Sequence, residues 1–436
     1  ADACRRAGIR FGVYVSPWDR NSAHYATDRY VEIYHEQIKE LLRGGYGDVF
    51  EMWFDGANGG DGYYGGACET RKIPKGYYRF DEVFGFVRRL QPSVGIFCGE
   101  FDDSDYRWPG NEGGWLFDDS RATMNPRKAD EAWITVPAKF YEHINHGSVT
   151  GKFFRIAEAD FPQRPGWFYH SVHDGAVKSG EFLLNRYLKS VGNGGTMDIG
   201  IAPDRHGRLH ANDVASLKRF TELRERFFAQ RVTDPREGFN VVVLREDVSR
   251  GERIDGWSFD LDGQPVFTGV SVGIKRIRVS EKMLKGGKAA FRVLKAAGAP
   301  GAVDVELYRA DPELVKAVLT ATAVPKGFKP ASGSTCMAKG DDFMVWRFLH
   351  EKDFASVTLV PDAKDPSGTP IEFTLRFAMQ EGKWSAPTKA YRLGNVAANP
   401  VPQTVTLDAP VKARYVRIDV KAVLESGKKP ALAGLN

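Results

Sequence analysis

Residues 48–66 read DVFEMWFDGANGGDGYYGG. The run Asp48–Phe54 has the length and apolar content of a buried strand. It ends on one carboxylate, Asp55, and then passes into glycine, asparagine, aspartate and tyrosine. A strand that delivers a carboxylate to a polar, aromatic loop is the repeating unit of a β/α barrel, whose active face is built from the loops after its strands. The same unit recurs on both sides. Upstream, a strand at Ile9–Val15 leads to a helix over Asp28–Arg43, where Val31, Ile33, Tyr34, Ile38, Leu41 and Leu42 recur at helical spacing. Downstream come a helix near Phe80–Leu90 and a strand at Val94–Cys98. A helix at Gly180–Ser190, a strand at Gly195–Ile201 and a helix at Asn212–Gln230 complete the series. Strands alternating with helices predict a parallel sheet. A doubly wound open sheet is the competing architecture, but no glycine-rich phosphate fingerprint follows any strand.

After Gly238 the pattern changes to short β-branched runs divided by turns: FNVVVLRED, QPVFTGVSVG, IKRIRVS, AAFRVLKAA and VDVELYR. This reads as an antiparallel sandwich. VPKGFKPASGS is a linker by composition, and ASVTLVPD, IEFTLRFAMQ, KAYRLGN, QTVTLDA and ARYVRIDVKAV form a second all-β stretch. The expected fold class is therefore α/β plus all-β, a partial (β/α)8-like barrel followed by two β-sandwich domains. Its divisions are 1–232 for the barrel, 233–325 for the first sandwich and 326–436 for the second. The opening ADACRRAGIRF enters in the middle of a helix, and the chain ends at ALAGLN where one more strand is expected. Both ends are expected to be clipped, with the first barrel strands missing.

Composition narrows the function classes. Of 436 residues, 42% are hydrophobic and 27% charged, the balance of a folded globular chain, and no run of apolar residues is long enough to span a membrane. The charge of +5 arises from 61 basic and 56 acidic residues spread along the chain, which argues against nucleic acid as a partner. Cys4, Cys68, Cys98 and Cys336 have neither metal-ligand nor disulfide-framework spacing. Aromatics reach 12%, many beside glycines and carboxylates, a pattern suited to a pyranose with one apolar face and a rim of hydroxyls.

Asp55, at a strand end behind Trp53 and Phe54, suits a nucleophile or a stabiliser of developing positive charge. A plain turn-capping aspartate of a D-G pair is the alternative. For the acid, Glu112 lies in DDSDYRWPGNEGGW beside Arg107, Trp108 and Asn111, whereas Glu100 better fits a strand end. Two carboxylates on separate loops fit glycoside hydrolysis. EADFPQRPGWFYH offers either an aromatic wall of Trp167, Tyr169 and His170 with Arg164 alongside or a core-packing corner after R-P-G. Tyr14 and Trp18 in YVSPWDRN stand at another strand end, where either could stack on a sugar or Trp18 could join a buried Trp-Asp-Arg cluster. Glu142, His143 and His146 in YEHINHG lack helical metal-ligand spacing, so no metal is expected.

Taken in order, VYVSPWDRN, FEMWFDGANGGDGYYGG, YRWPGNEGG, RPGWFYH and VGNGG with IAPDRHG resemble the α-L-fucosidases of glycoside hydrolase family 29. The resemblance implies a retaining hydrolase with no cofactor, whose nucleophile is Asp55. GANGGDGYYGG and the GNE segment are similar to the subgroup acting on α-1,3/1,4-linked fucose of branched, Lewis-type glycans, and that similarity shifts the acid/base role from Glu100 to Glu112. The residues expected to contact substrate are Tyr14, Trp18, Trp53, Arg107, Asn111, Arg164 and Tyr169. Asn58, Asp61 and Tyr63 would meet the aglycone, and Trp167 the fucose ring or its methyl group. The expected partner is a fucosylated oligosaccharide or glycoprotein glycan, and the oligomeric state is open. Export to the periplasm or beyond is also implied. The family's paired histidines upstream of SPWDRN have no counterpart before Tyr14. The last 110 residues or so resemble a discoidin-like domain through IEFTLRFAMQEGKWSAP and NPVPQTVTLDAPVKARYVRIDV. A glycan-binding protein without catalysis is the alternative reading.

Overall fold

The computed structural model describes residues 1–56, 59–74, 76–97, 104–125, 144–323, 334–362, 365–393, 396 and 402–436. Asn58, Glu100, Glu142, His143 and the linker residues 324–333 lie outside the described residues, as do the side chains of Asp61 and Tyr63. The chain divides into two compact units. One comprises Ala1–Phe161, Gly180–Ile199 and Lys218–Ala321, and the other Pro162–Ser179, Gly200–Leu217 and Thr322–Asn436.

In the first unit the sheet grows in chain order through β1 (Val13–Tyr14), β2 (Glu51–Trp53), β3 (Gly95–Phe97), β4 (Tyr106–Arg107), β5 (Ile156–Pro162) and β6 (Thr196–Gly200). The pairings from β1 through β5 are parallel. The result is a curled, parallel half-barrel. Helix α1 (Asp28–Leu42) follows β1, α2 (Phe80–Leu90) follows β2 and α3 (Gly180–Lys189) follows β5. The apolar stripe of α1 buries Tyr30, Val31, Tyr34, Ile38 and Leu42, and that of α2 buries Phe80, Val83, Phe84, Phe86 and Val87. Both stripes pack on Met52, Phe54, Val94 and Ile96 in one core. Asp81 and Glu82 in the first turn of α2, with Arg88 and Arg89 in its last, complement the helix dipole.

Strand alternation decides what reaches the inner face. Phe54 points outward, 5.8 Å from both Phe80 and Phe84. Glu51, Trp53 and Asp55 therefore share the opposite face.

The all-β region begins with two antiparallel sheets. One holds Arg231–Val232, Val303–Tyr308, Phe239–Glu246 and Arg276–Leu284, and the other Gln264–Gly269, Ile254–Leu261 and Ala289–Ala296. Phe239, Val242 and Leu244 of the first meet Ile254, Trp257 and Phe259 of the second in one core. Buried charge ties this region to the barrel side of the same unit. Arg276 Nη2 donates to the Ser120 carbonyl at 2.7 Å, Arg121 Nη1 to the Ile254 carbonyl at 2.7 Å, and the Ala122 amide to Glu252 Oε2 at 2.9 Å.

The second unit contains a further sheet in the order Ser334–Lys339, Phe343–Val360, Gln403–Val423, Pro370–Ala378 and Tyr391–Arg392. QTVTLDA and ARYVRIDVKAV, expected as two strands, form one strand of 21 residues, Gln403–Val423. The reason lies in its partner, Phe343–Val360, whose register shifts between Arg347 and Lys352 and again between Phe354 and Ser356. The second shift lies where Asp408–Pro410 suggested a break: the ladder leaves off at Thr406 and resumes at Val411 opposite Phe354, so one strand runs past the irregularity. Gly434–Leu435 pairs with Leu359–Val360. Among the described residues, no helix is long and apolar enough to cross a membrane.

Candidate active site

Asp55 follows the end of β2, where the Phe54 amide donates to the Phe97 carbonyl at 3.0 Å and the Val15 amide to the Trp53 carbonyl at 3.0 Å. These bonds extend the ladder to the carboxylate's doorstep. The Tyr14 hydroxyl donates a short hydrogen bond to Asp55 Oδ2. Its ring stacks on Trp53 at 5.3 Å, and Trp53 in turn lies flat on Phe97 at 4.0 Å. Burial, then the negative charge of Asp55 and more weakly that of Glu112, raise the pKa of the Tyr14 hydroxyl. Both carboxylates thus act on one phenol, and the donor keeps its proton.

Glu112 sits half-buried in a loop held at several points. Asn111 Oδ1 accepts from the Gly113 amide at 3.0 Å, and Asn111 Nδ2 donates to the Trp115 carbonyl at 3.1 Å. The Gly114 amide donates to the Asp160 carbonyl at 3.1 Å, and Arg186 Nη1 to the Gly113 carbonyl at 3.0 Å. Trp108 Nε1 donates to Asp160 Oδ1 at 3.0 Å. Asn111 therefore builds the loop that carries Glu112.

The segment GANGGDGYYGG was expected to stay an open loop. Its described part instead forms a hairpin, Gly60–Tyr64 against Ala67–Arg71. Gly65 and Gly66 turn it at φ of 63° and 93°, which a side chain would resist. Trp18 is the hairpin's anchor: Nε1 donates to the Tyr64 hydroxyl at 2.9 Å, and that hydroxyl donates to the Gly60 carbonyl at 2.8 Å. Tyr64 stacks on Tyr25 at 5.3 Å.

Two arginines expected to bind substrate are structural. Arg107, facing away from the inner surface, is fully buried and donates to the carbonyls of Ile144 and Arg121, each at 2.6 Å, and to those of Asn145 and Arg155. Burial pushes its pKa down to about 10. In the second unit Arg164, also fully buried, makes a two-pronged pair with buried Asp213 and donates to Asp174 Oδ1 at 2.9 Å. Tyr169 lies against this guanidinium at 4.6 Å, and Trp167 packs on Gly200, where a Cβ would come within 2.5 Å of its ring. A fully buried guanidinium whose donors are met by carbonyls or carboxylates has no face for a sugar.

The structure also brings in residues that the sequence reading passed over. Glu51, Glu158 and Asp198 lie together on the inner face, with Asp160 next to Glu158's end of the group. Trp53 Nε1 donates to Glu158 Oε1 at 2.8 Å. Burial first, then neighbouring carboxylates, pushes Glu158 up to about 9 and Glu51 up to about 7. Burial, then Glu112 and Asp198, raises Asp160 well above the carboxylate range, and burial raises Asp198. The missed signal was period two: Glu51, Trp53 and Asp55 on one strand, Glu158 and Asp160 on another. Among the described residues, no group of three His, Cys, Asp or Glu side chains is placed to hold a metal ion. His146 instead pairs with Asp119 at 2.7 Å and stacks on Phe117.

Comparison with known proteins turns this arrangement into a family. The alpha-L-fucosidase family model matches residues 1–223, half of the chain. The chain belongs to the alpha-L-fucosidase family. Alpha-L-fucosidase 1 of Arabidopsis thaliana is 33% identical over 251 residues, covering 57% of this chain and 45% of that protein. A relative from Oryza sativa subsp. japonica is 34% identical over 231 residues, 53% of this chain and 40% of its own. The chain thus spans less than half the length of these curated relatives. A crystal structure of a glycoside hydrolase 29 family member from an unknown rumen bacterium matches all of this chain and 80% of its own, with a TM-score of 0.63 and 28% identity. That of SpGH29 matches 71% of this chain and 76% of its own, with a TM-score of 0.60 and 27% identity.

Proposed function

We propose that the protein is a retaining exo-α-L-fucosidase in which Asp55 is the nucleophile and Glu112 the acid/base. The observation that carries this reading is the Tyr14 hydroxyl donating to Asp55 Oδ2 while it also feels the charge of Glu112. In the first step an Asp55 oxygen attacks the anomeric carbon and the glycosidic C–O bond breaks. The Glu112 proton passes to the leaving oxygen. In the second, Glu112 takes a proton from water, whose oxygen displaces the Asp55 ester and releases fucose in its original configuration. Tyr14 orients the carboxylate, and the stacked Tyr14, Trp53 and Phe97 rings make a rigid apolar floor beside it.

The likeness of GANGGDGYYGG and GNE to one fucosidase subgroup supports α-1,3/1,4-linked fucose on branched glycans as substrate, with Asn58, Asp61 and Tyr63 at the aglycone. The domain divisions at 232 and 325, a discoidin-like last domain and export from the cell belong to the same proposal. The test is to incubate the full-length protein with a Lewis-type trisaccharide and follow fucose by NMR. α-Fucose appearing before mutarotation supports retention, β-fucose appearing first would exclude it, and a folded protein that binds without release would be a lectin.

A further inference from the structure

Strand β5 carries Glu158 and Asp160 two residues apart, so both point to the inner face while Ala157, Ala159 and Phe161 pack outward. Each of these carboxyls accepts from one indole. Glu158 Oε1 takes Trp53 Nε1 at 2.8 Å, and Asp160 Oδ1 takes Trp108 Nε1 at 3.0 Å. Trp53 lies two residues before Asp55 and under the Tyr14 ring that bonds Asp55. Trp108 opens the loop of Glu112, and the Asp160 carbonyl holds that loop again at the Gly114 amide, 3.1 Å away. Asp160 is 4% exposed and Glu158 6%, so neither is available to a sugar.

We propose that Glu158 and Asp160 are a pair of positioning residues, one for each half of the reaction: Glu158 aims the nucleophile through Trp53, and Asp160 aims the acid/base through Trp108 and the Glu112 loop. The inference rests on the assignment of Asp55 and Glu112 above. It makes a distinction that a merely structural role would not. Displacing the acid harms only a substrate whose leaving group needs a proton, whereas displacing the nucleophile harms every substrate. Burial holds both carboxyls toward their neutral forms, so the amides are their nearest isosteres and keep the acceptor oxygen.

The experiment measures kcat/KM of the full-length protein on a fucosylated trisaccharide and on α-L-fucosyl fluoride, whose leaving group departs unprotonated. Asp160→Leu is expected to lower kcat/KM on the trisaccharide by about 100-fold or more, and on the fluoride by less than about 5-fold, the signature of a lost acid. Glu158→Leu is expected to lower both alike. Asp160→Asn and Glu158→Gln are expected to stay within about 3-fold of the parent on both, because the indole keeps its acceptor. Should a leucine variant fail to fold, Trp108→Phe and Trp53→Phe remove the indole donors together with part of each ring and are expected to show the same two patterns. Equal losses on both substrates for Asp160→Leu or Trp108→Phe would overturn the proposal, as would an Asp160→Asn as damaged as the leucine. Glu112→Ala is the control for the underlying reading: if it shows no difference between fluoride and trisaccharide, the acid assignment itself fails.

Discussion

At the scale of single residues, similar side chains have been given opposite work. Tyr14 as a whole residue is 56% exposed, yet its hydroxyl is crowded enough for burial to raise its pKa, and it donates to the proposed nucleophile. Tyr14→Phe is expected to leave the melting temperature nearly unchanged and to reduce kcat/KM by about 10- to 100-fold, the worth of one hydrogen bond to a charged group. Steady-state kinetics alongside a thermal melt checks both halves. Arg107 is the reverse case, with no exposed surface and its donors on backbone carbonyls. Arg107→Met leaves those carbonyls unpaired and should cost about 3–5 kcal/mol of stability, measured by denaturant unfolding. An Arg107→Met protein as stable as the parent would mean that the carbonyls find other donors. Sequence could not separate these arginines from ligand-binding ones. Their type is visible in the chain, but their burial depends on partners such as Asp213, 49 residues from Arg164.

The next scale is that of strands, helices and turns. The helices were legible because their apolar spacing is long: the expected 28–43, 80–90 and 180–190 became Asp28–Leu42, Phe80–Leu90 and Gly180–Lys189. The strands were legible in place but not in extent, Ile9–Val15 shrinking to Val13–Tyr14, because pairing and not composition decides where a ladder ends. The hairpin after Asp55 was hidden by its glycines, which sequence reads as looseness and the fold uses for close approach. A Cβ at Gly62 would lie 2.7 Å from the Tyr64 ring and 2.8 Å from the Arg20 carbonyl. Gly62→Ala is expected to raise KM for branched glycans several-fold and, because Tyr64 belongs to the main core, to cost about 1–3 kcal/mol of stability in denaturant unfolding. Unchanged KM would show that the hairpin takes no part in binding.

Strands β2 and β5 also carry a pH dependence. Glu51 and Glu158 hold protons more tightly in the folded state than in the unfolded chain. Their contribution is therefore complete below the ordinary carboxylate pKa and is lost as pH rises through about 7 and then about 9. Melting temperature should fall between pH 6 and pH 9, and Glu51→Gln should flatten that fall. A flat parent profile would mean that the pair is ionised in the native state.

For the molecule as a whole, the half-barrel and the first all-β sheets belong to one compact unit, joined through Arg121, Glu252 and Arg276. Arg276 is fully buried, and burial pushes its pKa down to about 9. Arg276→Leu is expected to lower the calorimetric transition shared by both regions by about 3–5 kcal/mol. Two separate transitions in the parent would show that the regions unfold independently. The repeating strand–helix order announced this architecture, whereas its long-range stitching, such as Arg276 to the carbonyls of residues 118 and 120, left no trace in local sequence.

The two carboxyls of β5 have one more consequence, for how the family can change. Because they share a strand and a face, removing Ala157 would send Glu158 and Asp160 outward together and bring Ala159 and Phe161 in. A deletion at Ala159, between them, is the length change that would turn one carboxyl and leave the other. On the proposal above, length changes ahead of Glu158 would disturb both aims at once, whereas a point substitution at residue 160 would disturb one.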